Sequence, residues 1–259
     1  MQRYAASGNT NYVYNSSMAL TLRLLPFAAA DGPTNMAADE AMLESAASGV
    51  ASLRFYTWTE PTLSLGYFQP ADARAATPGV DWVRRSTGGA AILHHHELTY
   101  ALALPAGAEW HTGEPWVCRV HHLLRDELAD AGLTAKAVVC GEEQKLGEVL
   151  CFLDQTAGDL LIEGSKVAGS AQRKWKGALL QHGSILLRRS PHAPHLAGVF
   201  DFAGRDLFSP AALAARLGGR IAVAAGCAVE VGEWTPLERA RTAKIRAEKY
   251  ADPSWNGKR

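Results

Sequence analysis

The sequence of 259 residues carries no net charge: 26 lysines and arginines stand against 26 aspartates and glutamates. That balance excludes a protein that works on nucleic acid through a global positive field, and leaves room only for a local basic patch. Cysteine is scarce. Cys118, Cys140, Cys151 and Cys227 lie far apart and no two form a Cys-x-x-Cys pair, which removes the usual zinc frameworks and points to free thiols in a reducing compartment. Long apolar runs are missing too. Nothing approaches the length of a membrane span. Residues 18–30 (MALTLRLLPFAAA) loosely resemble a signal segment, but Arg23 interrupts them and only Arg3 stands before them as a base. They read as a first strand in a cytoplasmic protein. There is no internal repeat, no low-complexity linker and no Gly-x4-Gly-Lys-Ser/Thr phosphate loop.

What is present is an ordinary globular composition, 47% hydrophobic and 20% charged, with length enough to bury a core. Residues 1–17 are polar and read as a disordered leader. Met18 reads as the initiator, and the expectation is a single domain over 18–259 with no accessory domain after it. Residues 20–25 form a short strand, Asp31-Gly32-Pro33 breaks the chain, and Thr34 or Asn35 caps a helix that Gly49 ends. Asp39 and Glu40 fall in its early turns, where they suit the helix dipole. Strands follow at 52–58 and 62–68. A short one at 82–85 runs into Ser86-Thr87-Gly88-Gly89, and 90–104 reads as one apolar strand broken by three histidines. Val117, Val120, Leu123, Leu124 and Leu128 recur with helical period, closed by Gly132. Next come a strand at 135–140, a polar loop, hairpin strands 160–162 and 166–168 about Glu163-Gly164-Ser165, and a strand at 178–187. Ser209-Pro210 opens a short helix, and Thr235-Pro236-Leu237-Glu238 is a capping box for a last one. The order predicts an α+β fold, a mixed and largely antiparallel sheet with flanking helices.

Reactive groups concentrate between Cys151 and Leu187. There lie a thiol, then Lys166 in Lys166-Val167-Ala168-Gly169-Ser170-Ala171-Gln172, the cations Arg173, Lys174 and Lys176, and Gln181-His182-Gly183-Ser184. Taken alone, Cys151 reads as a packing thiol, since buried cysteines are usually inert. A nearby ammonium would stabilise its thiolate; Lys166 supplies one if the hairpin folds back, and is a solvated turn lysine if it does not. Arg84-Arg85-Ser86-Thr87-Gly88-Gly89 joins charge suited to phosphate or carboxylate with glycines whose main-chain N–H groups approach a ligand, or is simply a turn. In His94-His95-His96, consecutive side chains point to opposite strand faces and no carboxylate or cysteine stands at supporting spacing. No metal site is expected; one histidine faces inward and one faces solvent. His182 either hydrogen-bonds in the core or lines a pocket. Arg173, Lys174 and Lys176 form either a solvated loop or a docking patch for acidic partners. Seven tryptophans without period read as packing.

These motifs resemble the lipoate–protein ligase A and octanoyltransferase family. Arg84-Arg85-Ser86-Thr87-Gly88-Gly89-Ala90-Ala91-Ile92-Leu93-His94 is similar to its Arg-Arg-x-x-Gly-Gly-x-Ala-Val-x-His signature. Asn35–Ala41, Lys166–Gln172 with Gln181–Ser184, and Lys249-Tyr250 with Trp255-Asn256 resemble three further motifs, in order, across residues 20–256. The resemblance implies a biotin/lipoate protein ligase-like catalytic domain. It implies Cys151 and Lys166 as catalytic residues, and Arg84, Gly88, Gly89, Ala90, His94, Gly169, Ser170, Ala171, Gln172, His182 and Gly183 as substrate-binding ones. Cys151-Phe152, fifteen residues before Lys166, and Glu97-Leu98-Thr99-Tyr100 look like the cysteine-type octanoyltransferase. Such an enzyme needs no cofactor. It takes octanoate from octanoyl-acyl carrier protein, through a cysteine thioester, to a lysine of a lipoyl-domain protein such as the glycine cleavage H protein, and is expected here as a monomer with no nucleic-acid or membrane partner.

On that reading Leu93, Ala91 and Ala168 line an apolar tunnel, and backbone N–H groups near Gly88-Gly89 or Gly169-Ser170 hold the oxyanion. The chain departs from the pattern in three places: His95 stands where Asp is usual, Ala90 where Gly or Arg is common, and Leu153–Thr156 lacks a Pro-Ser after the cysteine. The same resemblance admits an ATP- and Mg-dependent lipoate–protein ligase working through lipoyl-adenylate. It also admits an amidotransferase acting between lipoyl domains, and a member that binds acylated domains without turnover.

Overall fold

Two sheets organise the chain. The structure, a computed structural model, describes residues 20–107, 110–111, 113–145 and 150–259, with Cys151 described in its backbone alone; the expected leader and the start at Met18 lie outside the described residues. In order the elements are β1 (Thr21–Leu24), β2 (Ala28–Ala30), α1 (Gly32–Ala47), β3 (Ser52–Trp58), β4 (Thr62–Leu65), β5 (Asp81–Arg84), β6 (Ile92–His94) and β7 (Glu97–Leu104). Then come α2 (Trp116–Asp130), β8 (Lys136–Ala137), β9 (Leu160–Ile162), β10 (Ser165–Trp175), β11 (Ala178–Leu186), α3 (Val199–Ala203), α4 (Pro210–Ala225), β12 (Ala228–Val231), α5 (Pro236–Ile245) and α6 (Pro253–Asn256). The larger sheet runs β12-β1-β3-β7-β11-β10-β9-β8 with β2 beside β3, and the smaller is β5-β4-β6. From β3 to β8 every pairing in the larger sheet is antiparallel; β12–β1, β1–β3 and β2–β3 are parallel. This is the mixed, largely antiparallel α+β architecture the sequence predicts.

The central strands are apolar on both faces because helices cover both. Tyr100, Leu102 and Leu104 of β7 join Leu53 and Phe55 of β3 in a core roofed by α2 and α4. Ala101 and Ala103 face the other way, with Ala178 and Leu180 of β11, against α1. The small residues on that face let α1 lie close to the sheet, and α1 is itself buried nearly all round, from Asn35 to Ala46. Its cap is Asp31, whose Oδ1 accepts from Thr34 N at 2.8 Å, three residues before Thr34 and four before Asn35, the expected caps. Pro33 fits the first helical turn, where no N–H is needed.

Four further differences have local causes. The single strand expected over 90–104 is two, β6 in the small sheet and β7 in the large one. The corner between them sends His94 inward (3% exposed) and stacks His95 on His96 at 3.6 Å between ring centroids. The strand at 135–140 shrinks to β8, because Val138 turns to exchange main-chain bonds with Gly158 and Asp159. β10 runs on past Ala168 to Trp175, and its hairpin with β11 turns at Lys176-Gly177, both at positive φ. The helix at 210 continues through Gly218-Gly219 to Ala225, since Leu213, Leu217 and Ile221 bury a continuous stripe that outweighs the poor helix propensity of the two glycines.

The capping box at Thr235 forms as read, and its Glu238 is also a long-range clamp. Oε1 accepts from Arg23 Nη2 at 2.5 Å and Ser45 Oγ at 2.8 Å, while Oε2 accepts from Arg23 Nη1, Thr235 N and Thr235 Oγ1. Burial alone would raise this carboxyl; the Arg23 and Thr235 hydrogen bonds outweigh it and bring it from 4.5 down to about 2. A carboxyl depressed in the folded state stabilises above its unfolded value and loses that contribution as pH falls through the folded one. Glu238→Gln is therefore expected to cost about 1–2 kcal/mol at pH 7, after allowing for solvent screening of a partly wet pair. The difference should close as pH falls from about 4.5 toward 2, read as the gap between thermal unfolding midpoints across that range.

Candidate active site

Lys166 is not a solvated turn lysine. It is 4% exposed and its Nζ lies 2.7 Å from Asp159 Oδ2, with both side chains nearly dry. It also donates to the Asp154 carbonyl at 3.0 Å. A β-bulge makes this possible. Lys166 pairs with Leu161 and Ala168 with Leu160, so the register slips between them. Consecutive Val167 and Ala168 therefore both enter one core, which a regular strand forbids, and Lys166 is left to turn away from it. Gly169 leaves its path open: a Cβ there would stand 2.6 Å from Lys166 Cε, 3.0 Å from Nζ and 3.1 Å from Asp159 Oδ1.

The Cys151–Leu153 turn, a short 3-10 helix, is held from two sides. Leu150 makes a parallel bridge with Ala91, directly after the Gly88–Ala90 loop, and Asp154 is bonded by Lys166. The Phe152 ring lies 5.4 Å from Lys166 Nζ. Around the turn Leu63, Leu65, Ala91, Leu93, Leu150 and Phe152 form a separate apolar cluster, and a cavity of about 140 Å³ opens between Phe152, Lys166 and Leu196. Ala91 and Leu93 thus stand together as expected of a tunnel lining. Ala168 does not; it belongs to the core on the far side of the sheet.

The two signature arginines are built into the loop rather than turned toward an open surface. Arg84 is fully buried. It donates to the carbonyls of Gly66, Gln69 and Asn256, and Asn256 Oδ1 and Trp255 Nε1 bond its main chain in return. Arg85 shapes the loop from inside, donating to the carbonyls of Ser64, Gly88 and Ala90. Gly88 and Gly89 sit at the rim beside exposed Phe68. Gly66 must stay bare, because a Cβ there would meet the Gly89 carbonyl oxygen at 1.8 Å.

Two buried polar chains run inward from this loop. In one, Arg85 Nε donates to Thr87 Oγ1, Thr87 Oγ1 lies 2.7 Å from His182 Nε2, and His182 Nδ1 lies 2.9 Å from Asp39 Oδ2. Arg54 closes the chain with two bonds to Asp39 Oδ1 at 2.9 and 2.7 Å, and Tyr56 donates to Oδ2. Burial would raise Asp39, but the Arg54 charge and the His182 bond outweigh it, and the carboxyl is lowered. Asp39 is thus an interior anchor at 2% exposure and not the dipole-facing residue its place in α1 suggests. In the other chain Ser64 Oγ lies 2.7 Å from His94 Nε2, and His94 Nδ1 lies 2.7 Å from Glu97 Oε1. Burial lowers the His94 pKa against the opposing pull of Glu97. These are the distances of a Ser-His-acid triad, yet Ser64 is fully buried, and Arg85 donates to its oxygen. Trp58 stacks on His94 at 3.8 Å and bonds Thr99, which donates to Glu97. The group is a pillar under the loop.

β11 ties these parts together. Gln181 joins Gln172 and Tyr100, His182 reaches Thr87 and Asp39, and Ser184 bonds Glu97. Gly183 is bare because Tyr100 and the Gly169 carbonyl occupy the space of a Cβ. Ser170 and Ala171 face Gly183 and His182 across the hairpin. Arg173, Lys174 and Lys176 lie at its far end, on strand and turn rather than loop; Arg173 approaches Glu40 at 3.8 Å and Lys176 packs over Trp175. Asp159, Arg54 and Ser64 escaped the sequence reading, and Thr87 entered it only as part of the Arg84–Gly89 motif. Only Asp159 had a local signal, the Thr156-x-x-Asp159 turn in which its Oδ2 accepts from Thr156 N and Oγ1. Among the described residues no helix is long and apolar enough to cross a membrane.

The model for the lipoyl protein ligase A/B catalytic domain matches residues 31–197. Octanoyltransferase LipM of Kyrpidia tusciae is 32% identical, over 91% of this chain and 98% of its own length. That of Brevibacillus brevis is 41% identical over a stretch covering 59% of this chain and 61% of its own. A crystal structure of lipoate-protein ligase A bound with ATP superposes with a TM-score of 0.72 at 21% identity, over 92% of this chain and 99% of that one, a likeness of fold. By its matched domain, its relatives and its architecture, this chain belongs to the lipoyl protein ligase A/B catalytic-domain family.

Proposed function

We propose that this protein transfers an octanoyl group from octanoyl-acyl carrier protein to a lysine of a lipoyl domain, such as that of the glycine cleavage H protein, through a thioester on Cys151 and without ATP. The observation that carries the reading is the fastening of the Cys151 turn between Ala91 on one side and Lys166 on the other. The names of the relatives, octanoyltransferases, support the same reaction class.

In the first step the Cys151 thiolate attacks the carrier's thioester carbonyl; the bond from that carbonyl to the carrier sulfur breaks, the carrier thiol leaves with the proton that Cys151 gave up, and the acyl group remains on the Cys151 sulfur. In the second the acceptor amine attacks that thioester, an amide forms, and the proton shed by nitrogen returns to the departing Cys151 sulfur. The first exchange is nearly balanced and the second runs downhill, so no nucleotide is required. Lys166 would favour the thiolate by its charge and relay the proton in the second step. The cluster around Leu93 and Phe152 offers the acyl chain an apolar wall.

The test is intact mass after incubation with octanoyl-acyl carrier protein and no ATP. A hydroxylamine-labile octanoyl adduct, absent in Cys151→Ser, is expected. An unmodified protein that becomes active only with ATP and free lipoate would overturn the proposal in favour of a ligase.

A further inference from the structure

We propose that Asp159 is a positioning residue for the transfer reaction, fixing the Lys166 ammonium over Gly169; this rests on the reading of Lys166 as part of the transfer site. Asp159 is set before the lysine reaches it. Its Oδ2 accepts from Thr156 N at 2.6 Å and Thr156 Oγ1 at 2.9 Å, and the turn is closed by Asp159 N to Thr156 O. Two main-chain bonds pin that turn to Val138, from Gly158 N and to Asp159 O. The carboxylate is therefore part of a rigid frame, whereas the lysine is a flexible stem with four rotatable bonds. Where the two meet, at 2.7 Å, the frame decides the position.

The same contact sets the height of the Cys151 turn. Lys166 Nζ, held by Asp159, donates to the Asp154 carbonyl, and Asp154 directly follows the 3-10 turn Cys151–Leu153. Movement of Nζ thus moves the segment that bears the cysteine. Among the described residues, other titratable groups stand near the pair, with His195 lining the cavity beside Lys166. Asp154 follows the turn, His121 on α2 bonds the Gly158 carbonyl at 2.5 Å, and Tyr100 lies on β7. Burial pushes His121 down and Tyr100 up to about 12, so both are neutral near pH 7 and neither substitutes for the carboxylate.

A salt bridge that only stabilised the fold would shift the unfolding midpoint and leave catalysis alone. A positioning residue moves turnover at constant affinity. In Asp159→Asn, kcat for octanoyl transfer is expected to fall about fiftyfold with donor KM changed less than about threefold. Thr156→Val removes one donor from the frame and keeps the main-chain one; about a fivefold loss in kcat is expected. If Asp159→Asn does not fold, Thr156→Val decides the matter alone. Either folded variant retaining kcat within about twofold of the parent, or losing only KM, would overturn the proposal. A parent protein that forms no octanoyl adduct would instead overturn the proposed function, so the two failures are distinct.

Discussion

Lys166→Met is expected to slow octanoyl transfer by about a thousandfold, within the range that loss of a proton-handling group usually brings. Methionine keeps most of the stem and its contact with the apolar wall, and removes the charge, the Asp159 pair and the bond to the Asp154 carbonyl. Stability will fall as well, because breaking a buried pair leaves the partner uncompensated, at about 3–5 kcal/mol. The two losses can be separated. Lys166→Met/Asp159→Asn removes the stranded carboxylate and is expected to regain much of the urea midpoint while transfer stays at the level of the single variant. Single-turnover acyl transfer within about tenfold of the parent would remove Lys166 from the mechanism.

Arg54→Leu is expected to cost as much stability, again about 3–5 kcal/mol, and so a fall of roughly 10 °C in Tm. Arg54 supplies two of the bonds to Asp39 and one to the Asn35 carbonyl, and its guanidinium covers the Tyr56 ring at 3.8 Å. The pH dependence of stability weakens. In the parent the Asp39 carboxyl is lowered, so its contribution is present above the unfolded value and lost as pH falls through the folded one. Without Arg54, His182 is left to oppose burial, the lowering weakens, and the variant loses less stability than the parent as pH falls. Arg54→Leu/Asp39→Asn should flatten that dependence and recover part of the loss. Parallel stability–pH curves for Arg54→Leu and the parent would contradict this account of Asp39.

Local order was legible where short-range chemistry sets it. The hairpin turn at Glu163-Gly164, the capping box at Thr235 and the helix stripe from Val120 to Leu128 each follow from residues a few positions apart. The chemistry of the site was legible in type: Lys166, His94 and His182 all occupy built polar surroundings. What no spacing announces is pairing at distance. His182 meets Asp39 across 143 residues and Thr87 across 95, so the role of Asp39 is fixed by the sheet and not by its helix. Arg84 and Arg85 illustrate the same limit. Their charge suggests an anion, yet an arginine has five donors, and inward carbonyls of the loop and its neighbours take up most of them, leaving Arg84 Nη2 buried without an acceptor. The sheet change at His95-His96 was hidden because an apolar run looks alike in one strand or two.

Because Trp255 and Asn256 close over Arg84 from 171 and 172 residues downstream, the loop that begins at Arg84 is made early in translation and finished late. At about 5–20 residues per second, roughly ten to thirty seconds pass between the two. Through that interval a growing chain can pair β4 with β5 and β6, all of them already synthesised, while the Arg84 guanidinium and main chain wait for their final acceptors and donors. Contacts so far apart in sequence are also the slowest to close by diffusion. The Arg84–Ala90 loop therefore gains its last partners only once residues 255 and 256 have been made, after the chain already carries Lys166 and the Cys151 turn.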